Sequence, residues 1–130
     1  MSAGSKPPEE GEKLSTEARK TAAIDRVHLE RYTLGDPDLE QELLSLFADQ
    51  SGVYMERLRE AKTSAAWRDA AHSLKGSAKA VGAFLVAAAA EAAETAAADC
   101  TFEERKRLRA TLEARLAEAK EQIGILQRER

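Results

Sequence analysis

The stretch Leu108-Arg-Ala-Thr-Leu112-Glu-Ala-Arg-Leu116-Ala-Glu-Ala119-Lys-Glu-Gln-Ile123-Gly-Ile-Leu126 decides the fold class. Its apolar side chains recur at spacings of three and four, which is one face of an α-helix. Glu, Lys and Arg fill the opposite face, as on a solvated helix surface. Thr101 and Glu104 have capping-box spacing and open this helix, which is expected to end near Leu126. Upstream, Asp99-Cys100 reads as a loop, and Ala83 to Ala98 as a helix so rich in alanine that neighbours can approach it closely. Gly82 marks the junction with a preceding helix, from Ser64 or Ala65 to Val81. A further helix restarts at Asp36-Pro37, with Asp as N-cap and Pro at the first helical position, and runs to about Lys62. Leu34-Gly35 separates it from a short helix beginning at Asp25 and reaching about Tyr32. The expected fold is all-α: an antiparallel four-helix bundle with a short extra N-terminal helix.

Composition agrees with this pattern. Alanine, the best helix former, supplies 26 of 130 residues, and Pro7, Pro8 and Pro37 are the only prolines. The length fits one domain. Residues 1–21 are polar, with Gly, Pro, Ser and mixed charge, and are expected to form a flexible tail, helical at most near its end; residues 22–130 are expected to form the bundle. The 20 basic and 23 acidic residues leave a net charge of −3, so neither nucleic acid nor an anionic membrane is an expected partner. A single cysteine, Cys100, excludes an internal disulfide framework and suggests a reducing compartment. No apolar run approaches the length of about 18 residues that a membrane span needs. The opening MSAGSKPPEEGEK has no apolar signal core. A cytoplasmic protein is expected.

The chemistry concentrates on the helix before Gly82. At about 100° per residue, Trp67, Ala70, Ala71, Leu74, Ala78 and Val81 gather within about 80° and form a core stripe. His72 lies about 140° from the centre of that stripe and therefore faces outward. Arg68, Lys75, Gly76 and Lys79 are its neighbours one or two turns away. Glycine inside a helix costs about 1 kcal/mol relative to alanine, so Gly76 calls for a reason. Space is the simplest: another molecule can lie flat on the helix there and reach the imidazole. An imidazole, with a reference pKa of about 6.5, is partly neutral near neutral pH and can act as a nucleophile. Lys75 and Lys79 are placed to bring ammonium groups toward a phosphoryl group on it. His28 has no such surroundings and reads as structural.

Other chemistries lack their residues. Gly76 to Gly82 is not a phosphate-binding loop, because five residues intervene and Ala83 follows. There is no Cys/His cluster for a metal, no nucleophile elbow, and no Gly-rich ATP-binding domain. No cofactor is expected.

His72-Ser-Leu-Lys75-Gly76-Ser-Ala-Lys79-Ala-Val81-Gly82-Ala resembles the signature of histidine-containing phosphotransfer (HPt) domains, and the similarity extends from about Ile24 to Leu126. The resemblance implies a stand-alone phosphorelay protein with a four-helix bundle. His72 would be the phosphorylated histidine, Lys75 a supporting lysine and Gly76 a close-approach glycine. The phosphoryl group would pass to or from an aspartate of a response-regulator receiver domain, upstream of which stands a hybrid histidine kinase. Mg²⁺ is expected on the receiver's acidic residues, and the carrier is expected to be a monomer without ATP-dependent kinase activity of its own. One position departs from the family: many members carry a glutamine that hydrogen-bonds the histidine, and by spacing that position is Glu94. Its carboxylate can hold the tautomer of the imidazole but would repel an attached phosphoryl, so either Glu94 points away or local lysines offset it. The alternative is a non-catalytic adaptor or kinase regulator with the same fold.

The helix from Pro37 carries two apolar groups on its wheel. Leu44, Phe47, Tyr54 and Leu58, with Ser51, are assigned to the core. Leu39, Leu43 and Leu46 lie about 100° away and run into Gln50. They are expected to form an exposed patch, extended by Leu29 and Tyr32, on which the receiver docks, with Gln50 near His72. The competing arrangement has the short first helix covering these leucines.

Overall fold

A computed structural model describes residues 16–129. The elements are α1 (Thr16–Thr21), α2 (Arg26–Thr33), α3 (Pro37–Glu60), α4 (Ser64–Val81), α5 (Phe84–Thr95) and α6 (Phe102–Arg128), with no strand among the described residues. The expected caps explain the starts. Asp25 accepts from the His28 amide, Asp36 from those of Asp38 and Leu39, and Thr63 from that of Ala66. Thr101 and Glu104 form the full capping box at α6. Each bond satisfies an amide that the first turn of a helix leaves without a partner.

Helices α3 to α6 run up and down in chain order. Each packs on its sequence neighbour, and α6 closes the ring against α3. The all-α four-helix bundle expected from periodicity is therefore the fold. Its centre holds Trp67, Phe47, Leu44, Leu58, Leu74 and Leu112, all fully buried. Burying each stabilises the bundle by about 1.5–3 kcal/mol relative to leaving it exposed. Helix α5 contributes only Val86 and alanines to this core. Its small side chains let α4 and α6 approach its backbone.

Two sequence expectations about the bundle need correction. On α3 the lower core position belongs to Met55, and Tyr54 is only half buried, its ring lying 5.8 Å from the Arg57 guanidinium carbon. A 24-residue helix drifts around its axis, and the flexible methionine fills the gap that the wheel gave to tyrosine. Helix α5 ends at Thr95, and Ala96 to Asp99 continue as turns. Near the end of the polar N-terminal stretch, where a helix was allowed, α1 packs on α5, and Arg19 Nε reaches both carboxylate oxygens of Asp25 at 3.1 and 3.2 Å. Polar composition cannot show such a contact. The rest of the stretch read as a tail, residues 1–15, lies outside the described residues.

Gly82 fastens the extra helices to the bundle. It adopts φ +82°, and the Asp25 amide donates to its carbonyl at 2.8 Å. A Cβ on Gly82 would stand 2.8 Å from the Asp25 carbonyl oxygen. Only glycine combines that left-handed backbone with so close an approach.

Candidate functional site

Trp67 sets the register of α4 against α5. Its indole donates to the Ala93 carbonyl at 2.7 Å, one residue before Glu94. His72 lies five residues beyond Trp67 on the solvent side of α4, with its side chain 67% exposed. Glu94 reaches across from the last turn of α5 and engages two side chains, His72 by a hydrogen bond and Lys75 by an ion pair. Its Oε2 is 2.8 Å from His72 Nδ1, and its Oε1 is 2.8 Å from Lys75 Nζ. Lys75 belongs to the next turn of α4, so the three side chains close a clamp over the α4–α5 groove. Of the two arrangements left open for Glu94, the structure takes the second: the carboxylate faces the histidine, and a lysine offsets its charge.

The charges in the clamp reinforce one another. The Lys75 ammonium, and after it the His72 imidazole, hold the Glu94 carboxyl below its ordinary range. Glu94 in turn raises the Lys75 ammonium above its ordinary value. An ionised carboxylate only accepts hydrogen bonds, so Nδ1 of His72 carries the proton. In the neutral ring this leaves the lone pair on Nε2, for which no hydrogen bond is found among the described residues. Gly76 follows one turn after His72, and a Cβ there would meet nothing within 4 Å. Lys79 is exposed one turn further along the same face. The arrangement is an oriented nucleophilic nitrogen on an open, flat helix surface.

The remaining predicted site residues divide. Gln50 is half buried on α3 and makes no hydrogen bond to the imidazole, whose partner is Glu94. Tyr32, Leu39 and Leu46 are 55%, 38% and 50% exposed. Leu29 is not part of this patch: at 1% exposure it is core, because α2 packs down onto α3 and α4 and turns that side chain inward. Leu43 is partly buried against the core. The leucine group is thus divided, with Leu43 turned toward the core and Leu39 and Leu46 left open. His28 sits between Tyr32 and Phe84, with ring centroids 6.2 and 5.0 Å away. What sequence reading left open is which lysine Glu94 engages beside His72. Its only sequence signal was the spacing from His72, and the lysine it selects depends on how α5 sits against α4.

Among the described residues no group of three or more His, Cys, Asp or Glu side chains is placed to hold a metal ion, and no helix is long and apolar enough to cross a membrane. No curated protein and no solved structure matches the chain. A family model described as "Hpt domain" matches residues 42–123. That stretch is more than half of the chain and takes in His72, Lys75, Gly76, Lys79 and Glu94; with an exposed histidine on a four-helix bundle, the chain belongs to the Hpt domain family.

Proposed function

We propose that this protein carries a phosphoryl group on Nε2 of His72 between receiver-domain aspartates of a two-component phosphorelay. Membership of the Hpt family supports histidine phosphotransfer in general. The observation that carries the specific assignment is the bond from His72 Nδ1 to Glu94, which leaves the outward nitrogen as the nucleophile. In the transfer step the Nε2 lone pair attacks phosphorus of an aspartyl phosphate. The Nε2–P bond forms as the P–O bond to the aspartate breaks, and the electron pair leaves with the carboxylate. The ring gains positive charge while Nδ1 keeps its proton, and Glu94 lies against that edge of the ring to stabilise it. The same step in reverse returns the phosphoryl group to a receiver.

In this reading the partners are response-regulator receivers and, upstream, a hybrid histidine kinase. Mg²⁺ is bound by the receiver's acidic residues, and the carrier works as a cytoplasmic monomer. Tyr32, Leu39 and Leu46 form the apolar part of the docking face, and Gly76 lets the receiver approach the imidazole. Incubation with a phosphorylated receiver tests this directly. The parent protein should acquire acid-labile, base-stable phosphate, His72→Gln should acquire none while keeping its fold, and His28→Gln should label normally. Equal labelling of His72→Gln and the parent would refute the assignment. A stable receiver complex with no labelling of the parent would favour a non-catalytic adaptor.

A further inference from the structure

We infer that Lys79, and not Lys75, is the cation that receives the phosphoryl group on His72, reaching it along the gap left by Gly76. This rests on the reading of His72 as the phosphoryl carrier. Lys75 is already engaged. Its Nζ lies 2.8 Å from Glu94 Oε1, while the other oxygen of Glu94 holds His72 Nδ1. These three groups form a closed chain on the Nδ1 edge of the ring, and the phosphoryl group arrives at the opposite edge, on Nε2. An ammonium that left Glu94 to follow it would strip the carboxylate of one partner.

Helix geometry supplies the replacement. Seven residues make about 700°, so Lys79 lies within about 20° of His72 on the wheel and about 10.5 Å further along the axis. Gly76 falls between them, within about 40° of His72. Side chains on a helix lean toward its N-terminus. The four-carbon stem of Lys79 can therefore extend back past Gly76 toward the imidazole, whereas Arg68, one turn before His72, leans away from it. The path is clear, because a Cβ at Gly76 would meet nothing within 4 Å. Lys79 is exposed and makes no ion pair among the described residues, so no existing contact must break for it to turn. A lysine ammonium is a compact point charge suited to pairing with a phosphoryl oxygen. Gly76 then has a second role beside admitting the receiver: it leaves room for the lysine.

The test uses the full-length protein phosphorylated with phosphoramidate, in which the P–N bond to ammonia breaks as the bond to Nε2 forms, so no receiver is needed. The second ionisation of the phosphoryl group is followed by ³¹P resonance, and the ring nitrogens by ¹⁵N resonance. Lys79→Ala should raise the phosphoryl midpoint by about half a pH unit, roughly what one exposed charge pair supplies. It should move the phosphoryl partition about threefold toward a receiver. Lys79→Arg should keep the parental midpoint. Lys75→Ala should change the Nδ1 resonance and leave the phosphoryl midpoint in place. A midpoint that moves with Lys75→Ala and not with Lys79→Ala would overturn the assignment while sparing the carrier reading. A parent protein that takes no phosphate on His72 would overturn both.

Discussion

The indole Nε1–H of Trp67 donates to the Ala93 carbonyl across 2.7 Å in the buried centre of the bundle, and this bond sets the height at which His72 meets Glu94. Near its end a helix leaves carbonyls without an amide partner. The Ala97 amide, which would serve Ala93 in a longer helix, turns to Glu94 at 3.3 Å, and the tryptophan takes its place. Trp67→Phe keeps most of the buried ring but strands that carbonyl. We expect a loss of about 1–3 kcal/mol, read as a lower denaturation midpoint. The ¹⁵N signal of His72 Nδ1 should shift as well, although residue 67 does not touch the imidazole.

Two glycines of α4 and its cap should respond in opposite ways. Gly82→Ala meets the Asp25 carbonyl oxygen at 2.8 Å and keeps a left-handed backbone. It should destabilise the protein by more than about 1 kcal/mol, measured by chemical denaturation. Gly76→Gln enters open space. It should raise stability by about 0.5 kcal/mol through helix propensity, while slowing phosphoryl transfer from a receiver several-fold.

The clamp should be intact across the physiological pH range. Glu94 is held below its ordinary value of 4.5, so its contribution to stability is fully present above 4.5 and is lost as pH falls through the lowered value. Lys75 is raised above 10.5, so its contribution is fully present below 10.5 and is lost as pH rises through the raised value. The carboxyl ¹³C resonance of Glu94 should titrate with a midpoint below 4.5. In Lys75→Ala that midpoint should move up toward 4.5, because the first cause of the depression has been removed.

The leucines of α2 and α3 should separate docking from folding. Leu46 is 50% exposed; Leu46→Asp should weaken receiver binding more than tenfold, about 1.4 kcal/mol, with little change in Tm. Leu29→Asp places a carboxylate in the core and should lower Tm sharply. Leu43, partly buried, should show both effects. Titration calorimetry and thermal melts on the three variants distinguish the roles.

The sequence by itself determined the helices of the bundle and their capped starts, because caps and apolar periodicity act within a few residues of each other. Thr101 with Glu104, Asp36 with Pro37, and the stripe from Leu108 to Leu126 all report on their own helix. It also placed His72 outside the core, since Trp67, Leu74 and Val81 define the buried side of the same helix. The tertiary structure decided what depends on two helices at once. Leu29 is buried because α3 and α4 lie beneath α2, which no wheel of α2 alone shows. Met55 displaced Tyr54 because the seat on α3 is shaped by its neighbours. Glu94 came within 2.8 Å of both His72 and Lys75 because the alanines of α5 admit close packing and Trp67 fixes the register. A carboxylate and two potential partners were legible in the chain; the pairing came from distances across a groove, which local sequence does not encode.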